Sequence, residues 1–264
     1  NPDFSEVESD EPQVIVNERY EVLFPEKRPF FLENAGFFNT PNSLFFSRRV
    51  VDPEYGARVT GRLGRWAIGG LLMNDEAAGA ALFGPGSDEK GNIGLLRLQR
   101  DVGAQSNVGM MYADRRVDDH SNRILNLDTR IKLNDNWALT GQAVRSETDD
   151  PAGDFDGHLY YAGLTRGGRH FTYTGEYTDI SEDFNAELGF IPRRDIRQTT
   201  QAAKYLWTFP DAEWLVSAGP SLEATRTWNQ GGDLIDWTHD AEFEVNGLRY
   251  TSFDAHWIEG FERY

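Results

Sequence analysis

The chain has 264 residues, enough for one large β domain or two smaller ones. It carries 26 Lys and Arg against 43 Asp and Glu, and the resulting net charge of −17 repels nucleic acid, which excludes DNA or RNA as an expected partner. The sequence contains no cysteine, which excludes disulfides and thiolate metal sites.

The chain starts with "NPDFSEVESDEPQ", which is not a signal peptide and has no initial Met. We therefore expect a piece of a longer precursor, with a leader and room for a further domain before it. No run of residues approaches the roughly 18 apolar positions of a membrane helix. Mean hydropathy does not exclude a membrane barrel, because only alternate residues of a barrel strand face lipid.

Residues 1–55 are rich in Pro and Phe and show no sustained period, so we predict an irregular segment there. Its most distinctive stretch is "EVLFPEKRPFFLENAGFF", with five phenylalanines around four charged residues, namely Glu26, Lys27, Arg28 and Glu33. We interpret the stretch as a structural plug or lining element with paired charges. In the alternative, the same four charges form a constriction or a binding patch for a polar ligand.

From residue 56 to residue 264 the sequence alternates with period 2, which is typical of strands. In "RILNLDTRIKL" the apolar Leu125, Leu127 and Ile131 share one side, and Asp128 and Arg130 share the other. "HFTYTGEYTDI", "DAEFEVNG" and "YTSFDAHWIEG" repeat this division. Turn-forming residues between such runs indicate about twelve antiparallel strands joined as hairpins.

Two architectures fit these strands: a soluble sandwich or barrel, and a transmembrane barrel with its apolar parity toward lipid. Strand length, charges of both signs on the polar parity and aromatic residues near strand ends favour the second. We therefore predict an all-β, antiparallel up-and-down transmembrane β-barrel of roughly twelve strands, which this chain need not complete. The aromatic residues are Trp66, Trp137, Tyr160, Trp207, Trp214, Trp237 and Trp257.

The connections include two stretches that we predict as long loops, "NDEAAGAALFGPGSDEKGN" and the acidic "ETDDPAGDFDG". The second lacks the spacing of a helix-flanked calcium loop, so we predict a solvated loop and no metal site. The five histidines have no zinc-ligand spacing, and no nucleophile elbow, phosphate loop or dinucleotide fingerprint is present. The sequence therefore predicts no cofactor and no catalytic residue.

Five arginines stand out in an acidic chain: Arg48 and Arg49 in "SRRV", and Arg193, Arg194 and Arg197 in "PRRDIR". Guanidinium groups bind carboxylate and phosphate with two parallel hydrogen bonds, so a cluster could select anionic solutes or hold lipopolysaccharide phosphates. The alternative is that these arginines neutralise neighbours such as Asp52 and Asp195.

The phrases "NPDFS", "FPEKRPFF.E", "FFSRR" and "GFIPRRDIR" resemble a family of uncharacterised Gram-negative proteins with a domain of unknown function. Members typically carry a signal peptide, then a module like the family 9 carbohydrate-binding modules, then a large C-terminal β-barrel region. The resemblance runs over the whole chain and leaves out the carbohydrate module. It implies an outer-membrane location and a barrel fold, but no reaction.

We therefore expect an outer-membrane barrel that passes or binds a polar, and by the resemblance a saccharide, solute. Membrane lipid and lipopolysaccharide are the expected partners. A glycan hydrolase with carboxylates in a groove and a closed structural or assembly barrel remain alternatives. The candidate ligand-binding residues are Glu26, Lys27, Arg28, Glu33, Arg48, Arg49, Arg193, Arg194 and Arg197.

Overall fold

The computed structural model describes residues 26–263. The predictions that concern residues 1–25 and Tyr264 lie outside the described residues. These include the "NPDFS" phrase, the first two residues of "FPEKRPFF" and the first part of the predicted irregular segment.

The described residues form one 13-stranded antiparallel sheet in which strands that follow one another in sequence are neighbours. The order runs from β1 to β9 and then through β11, β12 and β13, while the short β10 pairs with β11 alone. The strands are β1 (Pro53–Leu63), β2 (Trp66–Asp75), β3 (Gly91–Val102), β4 (Ser106–Val117), β5 (His120–Lys132), β6 (Trp137–Asp150), β7 (Gly153–Arg166), β8 (Phe171–Ile180), β9 (Ile196–Tyr205), β10 (Trp207–Thr208), β11 (Leu215–Trp228), β12 (Leu234–Gly247) and β13 (Ser252–Glu262).

This order confirms the predicted all-β, antiparallel up-and-down sheet, with 13 strands against the roughly twelve expected. Within residues 26–263, β1 and β13 stand at the two ends of the strand order and do not pair with each other. The sheet is therefore open, which agrees with the expectation that this chain need not complete a barrel.

Helical structure is sparse. The α-helices are α1 (Pro29–Leu32) and α2 (Ala78–Phe83), and two short 3-10 turns cover Ala35–Phe38 and Ser47–Arg49. In the part of the chain that the structure describes, none of the helices has the length and apolar character needed to cross a membrane.

The predicted long acidic loop over residues 147–157 is wrong, because β6 ends at Asp150 and β7 begins at Gly153. Only two residues connect these strands. The acidic side chains lie on the strands themselves, where Arg145 of β6 donates to Asp156 of β7 at 3.2 Å. The other predicted long loop is present at residues 76–90 and contains α2, and a second long connection covers residues 181–195.

The chain divides into two compact units. In the described part, unit 1 comprises residues 26–128, 143–158 and 183–194, and unit 2 comprises residues 129–142, 159–182 and 195–263.

One face of the sheet in unit 1, which we call the covered face, lies beneath the chain segment 26–52. Phe38 of this segment packs on β2 so closely that a Cβ on Gly69 would lie 2.9 Å from its ring, which explains why glycine occupies that position. Apolar side chains of the segment and of the sheet are buried together there, namely Phe31, Phe38, Leu44, Val50, Leu71, Met73, Ile93, Leu95, Met111 and Ile124. The covered face therefore carries a hydrophobic core.

The opposite side of the sheet in unit 1, the exposed face, is apolar and open. The fractional exposure is 67% for Leu72, 42% for Leu96, 49% for Leu125 and 56% for Leu127, whereas Asp128 on the other parity is 7% exposed. The predicted direction of the two parities along β5 is thereby confirmed at these positions. Burying apolar side chains normally stabilises a fold, so a row of leucines left open needs a separate explanation.

Charged side chains border the exposed face of unit 1 near the turns that join β4 to β5 and β6 to β7. Asp114 pairs with Arg116 at 2.9 Å, and Arg123 pairs with Asp149 at 3.0 Å. Arg145 lies 3.1 Å from Glu147 and thereby extends the group. The apolar surface therefore ends at a rim of paired charges.

Unit 2 also has one apolar and one polar side. Tyr160, Leu222, Phe243 and Trp257 are 43 to 59% exposed on the apolar side. Antiparallel register places alternate polar residues on the other side, where Lys204 of β9 faces Ser221 of β11, which in turn faces Glu242 of β12.

Several of the aromatic residues lie near strand ends, as predicted. Trp66 begins β2, Trp137 begins β6, and Trp207 forms half of the short β10. Tyr160 and Trp257 instead lie near the middle of β7 and β13, so the prediction is wrong for these two. An aromatic residue in mid-strand has no need of an interfacial role, since it can serve as ordinary apolar surface.

Candidate functional site

Arg28 fastens the start of the described chain to the segment that precedes β1. Its side chain is buried and donates to both carboxylate oxygens of Glu26 at 2.9 Å. It also donates to the carbonyl oxygens of Val50 at 2.7 Å and Ser47 at 2.9 Å. The Phe31 ring lies 4.4 Å from the guanidinium carbon. Arg28 therefore has the paired, structural environment that the plug interpretation expects.

Glu26 is the acceptor at the centre of this arrangement. Burial by itself raises the pKa of the Glu26 carboxyl, but hydrogen bonds from Arg28 and Ser47 outweigh it and lower the pKa from 4.5 to about 2. The Ser47 hydroxyl donates to Glu26 at 2.5 Å. The carboxyl is thus charged over the whole neutral and mildly acidic range.

Arg58 of β1 holds the next part of the segment. Its guanidinium donates to the carbonyl oxygens of Phe30 and Glu33, and to the Glu33 carboxylate at 2.9 Å. The Phe30 ring lies 5.0 Å from the guanidinium carbon. Glu33 remains 74% exposed at its side chain, and Lys27 is also exposed. Of the four charges predicted in this stretch, Glu26 and Arg28 thus pair with each other, and Glu33 pairs with the sheet.

Asp75 makes a further attachment that the sequence did not reveal. This buried carboxylate at the end of β2 accepts hydrogen bonds from the backbone N–H groups of Val51 at 3.0 Å and Asp52 at 2.8 Å. Hydrogen bonds to a charged partner are each worth about 1.5–3 kcal/mol. A lone Asp near a strand end gives no signal in the sequence that distinguishes it from an ordinary turn residue.

The structure brings three of the five predicted arginines together. Arg48, Arg49 and Arg194 line a cavity of about 320 Å³ in unit 1, which we call the arginine cavity. Arg115 of β4, which the sequence did not single out, contributes the fourth guanidinium, and Glu187 contributes a carboxylate. The remaining wall comes from Val51, Ala81, Leu82, Phe184, Asn185, Ala186, Gly189 and Ile191.

Backbone carbonyls hold two of these arginines in position. The Arg49 Nε donates to the Gly189 carbonyl at 3.1 Å, and the Arg194 Nη1 donates to the Phe184 carbonyl at 3.2 Å. The loop that contains Phe184 and Gly189 therefore orients arginines from two distant parts of the sequence. Neither bond can be read from the sequence, because each depends on the path of a long connection.

The other two predicted arginines lie elsewhere. Arg193 is half-buried beside Arg194 but does not line the arginine cavity. Arg197 is the second residue of β9 in unit 2, where its Nε lies 3.5 Å from the Asp179 carboxylate on β8. Arg197 thus neutralises a neighbouring acid, as the alternative interpretation expects of such residues.

Glu187 connects the arginine cavity to a buried histidine. One carboxylate oxygen of Glu187 lies 2.7 Å from Nε2 of His120, and the His120 Nδ1 lies 2.9 Å from Asp150. The other Glu187 oxygen lies 3.7 Å from Nη1 of Arg115. This loop carboxylate therefore faces β4 and β5 at once.

Unit 2 contains a groove on its polar side, with a volume of about 350 Å³. Carboxylates of Glu223, Asp240 and Glu242 line it together with Lys204 and His256. Lys204 pairs with Glu244 at 2.6 Å, and the His256 Nε2 lies 2.7 Å from Asp240. The groove is thus polar and net acidic. Among residues 26–263, no cluster of three or more His, Asp or Glu side chains has an arrangement that could hold a metal ion.

The fold and the site together define the class of protein. It is an antiparallel up-and-down β-sheet protein whose open sheet has long strands, one apolar face and one face with buried charges. Transmembrane barrels share this strand layout.

Comparisons with known proteins give a family match over part of the chain and a set of fold likenesses. A family model described as "Domain of unknown function (DUF5916)" matches residues 1–60. The expected family resemblance thus has a match over the first part of the chain. No curated protein matches the chain.

Three crystal structures of Pseudomonas aeruginosa proteins are similar in fold. OccK11 (OpdR) has a TM-score of 0.42 at 12% identity over 83% of this chain and 70% of that protein. OccK8 (OprE) has 0.44 at 12% over 83% and 71%, and OccK9 (OpdG) has 0.43 at 13% over 78% and 61%. Likenesses at this level carry no conclusion about function.

Proposed function

We propose that the chain forms part of an outer-membrane β-barrel of a Gram-negative bacterium that passes or binds a polar solute. The observation that carries the proposal is the exposed face of unit 1, where leucines on β2, β3 and β5 are open, namely Leu72, Leu96, Leu125 and Leu127. In water such a surface would cost free energy. Against lipid it is the expected surface of a membrane strand.

Strand length and the charged rim agree with this proposal. Leu125 and Leu133 lie eight residues apart along the β5 region, about 27 Å at the rise of an antiparallel strand. An apolar band about 25 Å tall suits an outer membrane. Membrane lipid, including the acyl chains of lipopolysaccharide, is therefore the partner we propose for the apolar surface, and the paired rim charges would lie at head-group level.

We propose further that residues 1–55 act as a plug or lining element inside such a barrel. The contacts of Arg58 and Asp75 support this role, because they hold the segment 26–52 on the covered face through charge-assisted hydrogen bonds. Arg28 ties the two ends of the segment to each other. The solute path would then run beside this segment. A saccharide solute remains the proposal that the family resemblance suggests, through the carbohydrate-like module that its members carry.

Planar-bilayer conductance tests both proposals with one pair of variants. Arg58→Gln removes the charge that holds Phe30 and Glu33. Arg62→Gln is the matched control, because it removes the same charge from the same strand, where Arg62 forms only an exposed pair with Asp101. We expect purified protein to require detergent, and we expect conductance to rise for Arg58→Gln alone. Protein that is monodisperse without detergent would overturn the membrane proposal, and equal conductance in the two variants would overturn the plug.

A further inference from the structure

The arginine cavity concentrates positive charge in a chain of strongly negative net charge. Four guanidinium groups and a single carboxylate line about 320 Å³ of space, a volume at the lower end of the range for small-ligand pockets. Its walls come from the segment around Arg48, from α2 and from the loop at residues 184–194, while Arg115 enters from the sheet. A cavity of this charge and size is complementary to a small anion.

Arg115 supplies a second, independent observation. Its side chain is only 6% exposed, yet its Nε atom has no hydrogen-bond partner within residues 26–263. Its Nη2 makes one long bond of 3.4 Å to the Ala78 carbonyl, and Nη1 stays 3.7 Å from Glu187. A buried guanidinium with unsatisfied donors is costly, because each lost hydrogen bond to water has to be replaced.

Glu187 does not supply the missing partner, because its nearest oxygen stays 3.7 Å from Nη1 of Arg115. One of its oxygens is close to His120, at 2.7 Å, and to the Asn185 amide, at 3.3 Å. The second oxygen is buried and has no hydrogen-bond partner in the described chain. Arg115 and Glu187 are therefore close enough to attract each other and too far apart to satisfy each other.

We propose that the arginine cavity binds the carboxylate or phosphate group of a small anionic solute. An oxyanion in the cavity would accept hydrogen bonds from Arg115 and from the guanidinium groups around it, in the two-point geometry that arginine offers to such groups. The backbone bonds of Arg49 and Arg194 keep these side chains near the cavity before the ligand arrives. Only the assignment of this ligand class to the solute path rests on the proposed function. The anion site itself does not rest on it.

Calorimetric titration of the full chain in detergent tests the inference directly, with malonate and inorganic phosphate as soluble probes and glucose as the neutral control. We expect malonate or phosphate to bind and glucose to give no heat. Arg194→Gln should weaken binding about tenfold, the effect of losing one charge-assisted hydrogen bond. Arg194 is exposed, so its replacement leaves the core intact, and Arg115→Gln serves as a second variant at the buried position.

Arg145→Gln is the matched control, because it removes one positive charge from a side chain that is 63% exposed and does not line the cavity. Binding should be unchanged in this variant. Lipopolysaccharide micelles are the probe in a second titration. If only the micelles bind, and Arg194→Gln weakens that binding, the oxyanion site is supported and its ligand is the phosphate of a lipid. Absence of binding in both titrations, or equal affinity in Arg194→Gln and wild type, would overturn the inference. Anion binding by protein that is monodisperse without detergent would overturn the proposed function and leave the anion site standing.

Discussion

Arg97 and Asp128 are 31 residues apart in the sequence. They form two hydrogen bonds on the covered face of unit 1, at 2.5 and 2.8 Å. Their side chains are 3% and 6% exposed, and the Asn126 amide donates to the same carboxylate at 2.7 Å. The Arg97 guanidinium lies over Gly109, where an added Cβ would come within 2.5 Å of it. Glycine at this position thus leaves room for a buried ion pair.

Loss of one partner of this pair should destabilise the fold strongly, since the other charge would remain buried. We expect Asp128→Ala to cost about 3–5 kcal/mol of unfolding free energy. The control is Asp101→Ala, which breaks the exposed pair with Arg62 and should cost less than about 1 kcal/mol. Urea unfolding in detergent, followed by tryptophan fluorescence, measures both. Equal midpoints for the two variants would show that burial does not govern the strength of the pair.

At the residue scale, sequence patterns identified charged side chains but not their partners. Glu26, Arg28, Arg48, Arg49 and Arg194 were recognisable as unusual charges in an apolar or acidic context. Arg58 and Asp75, which hold the segment 26–52, and Arg115, which completes the arginine cavity, lie on strands. Alternation along a strand reveals which face a residue takes but not which distant residue it meets. A buried charge can be recognised in the sequence when a single charged residue stands among apolar residues of the same parity, as Arg97 does in "LLRLQ".

At the scale of single elements, β5 and β8 match the predicted runs closely, because their alternation is uninterrupted. The predicted loop at residues 147–157 failed for a physical reason. Acidic residues are rare in strands with one face in a core, but here Arg145 of β6 pairs with Asp156 across the strands and with Glu147 along its own strand. The segment 26–52 has no period, so the sequence indicated its irregularity and gave no information about its contacts.

The attachment of this segment should depend on pH through Glu26. Because the pKa of Glu26 is lowered from 4.5 to about 2 in the folded chain, the charged form contributes stability above pH 4.5, and this contribution disappears as the pH falls from 4.5 to 2. We expect the segment to loosen in this acidic window.

An environment-sensitive fluorophore on Lys27→Cys can follow this change, because the chain has no other cysteine. Its emission should shift between pH 4.5 and pH 2 in the otherwise native chain. The same label in a chain that also carries Glu26→Gln should show no shift in that window, since the titrating group is gone. A shift of equal size in both chains would assign the transition to another group.

At the scale of the whole molecule, the sequence predicted the antiparallel up-and-down sheet and the direction of its apolar parity. It predicted a plug or lining segment, but not the extended hydrophobic core that this segment forms with the sheet of unit 1. The core beneath segment 26–52 leaves polar space in the arginine cavity of unit 1, and the groove of unit 2 offers another. The polar space of each unit is therefore a charged pocket of its own sign, mostly guanidinium groups in the arginine cavity and mostly carboxylates in the groove of unit 2.

The central claim is that the exposed apolar face lies against lipid, and quenching by brominated acyl chains tests it most directly. Leu127→Cys and Arg130→Cys place a fluorescent label on opposite parities of β5, three residues apart. In proteoliposomes we predict strong quenching at position 127 and little at position 130. Equal, weak quenching at both positions would place the leucine row in water and contradict the account.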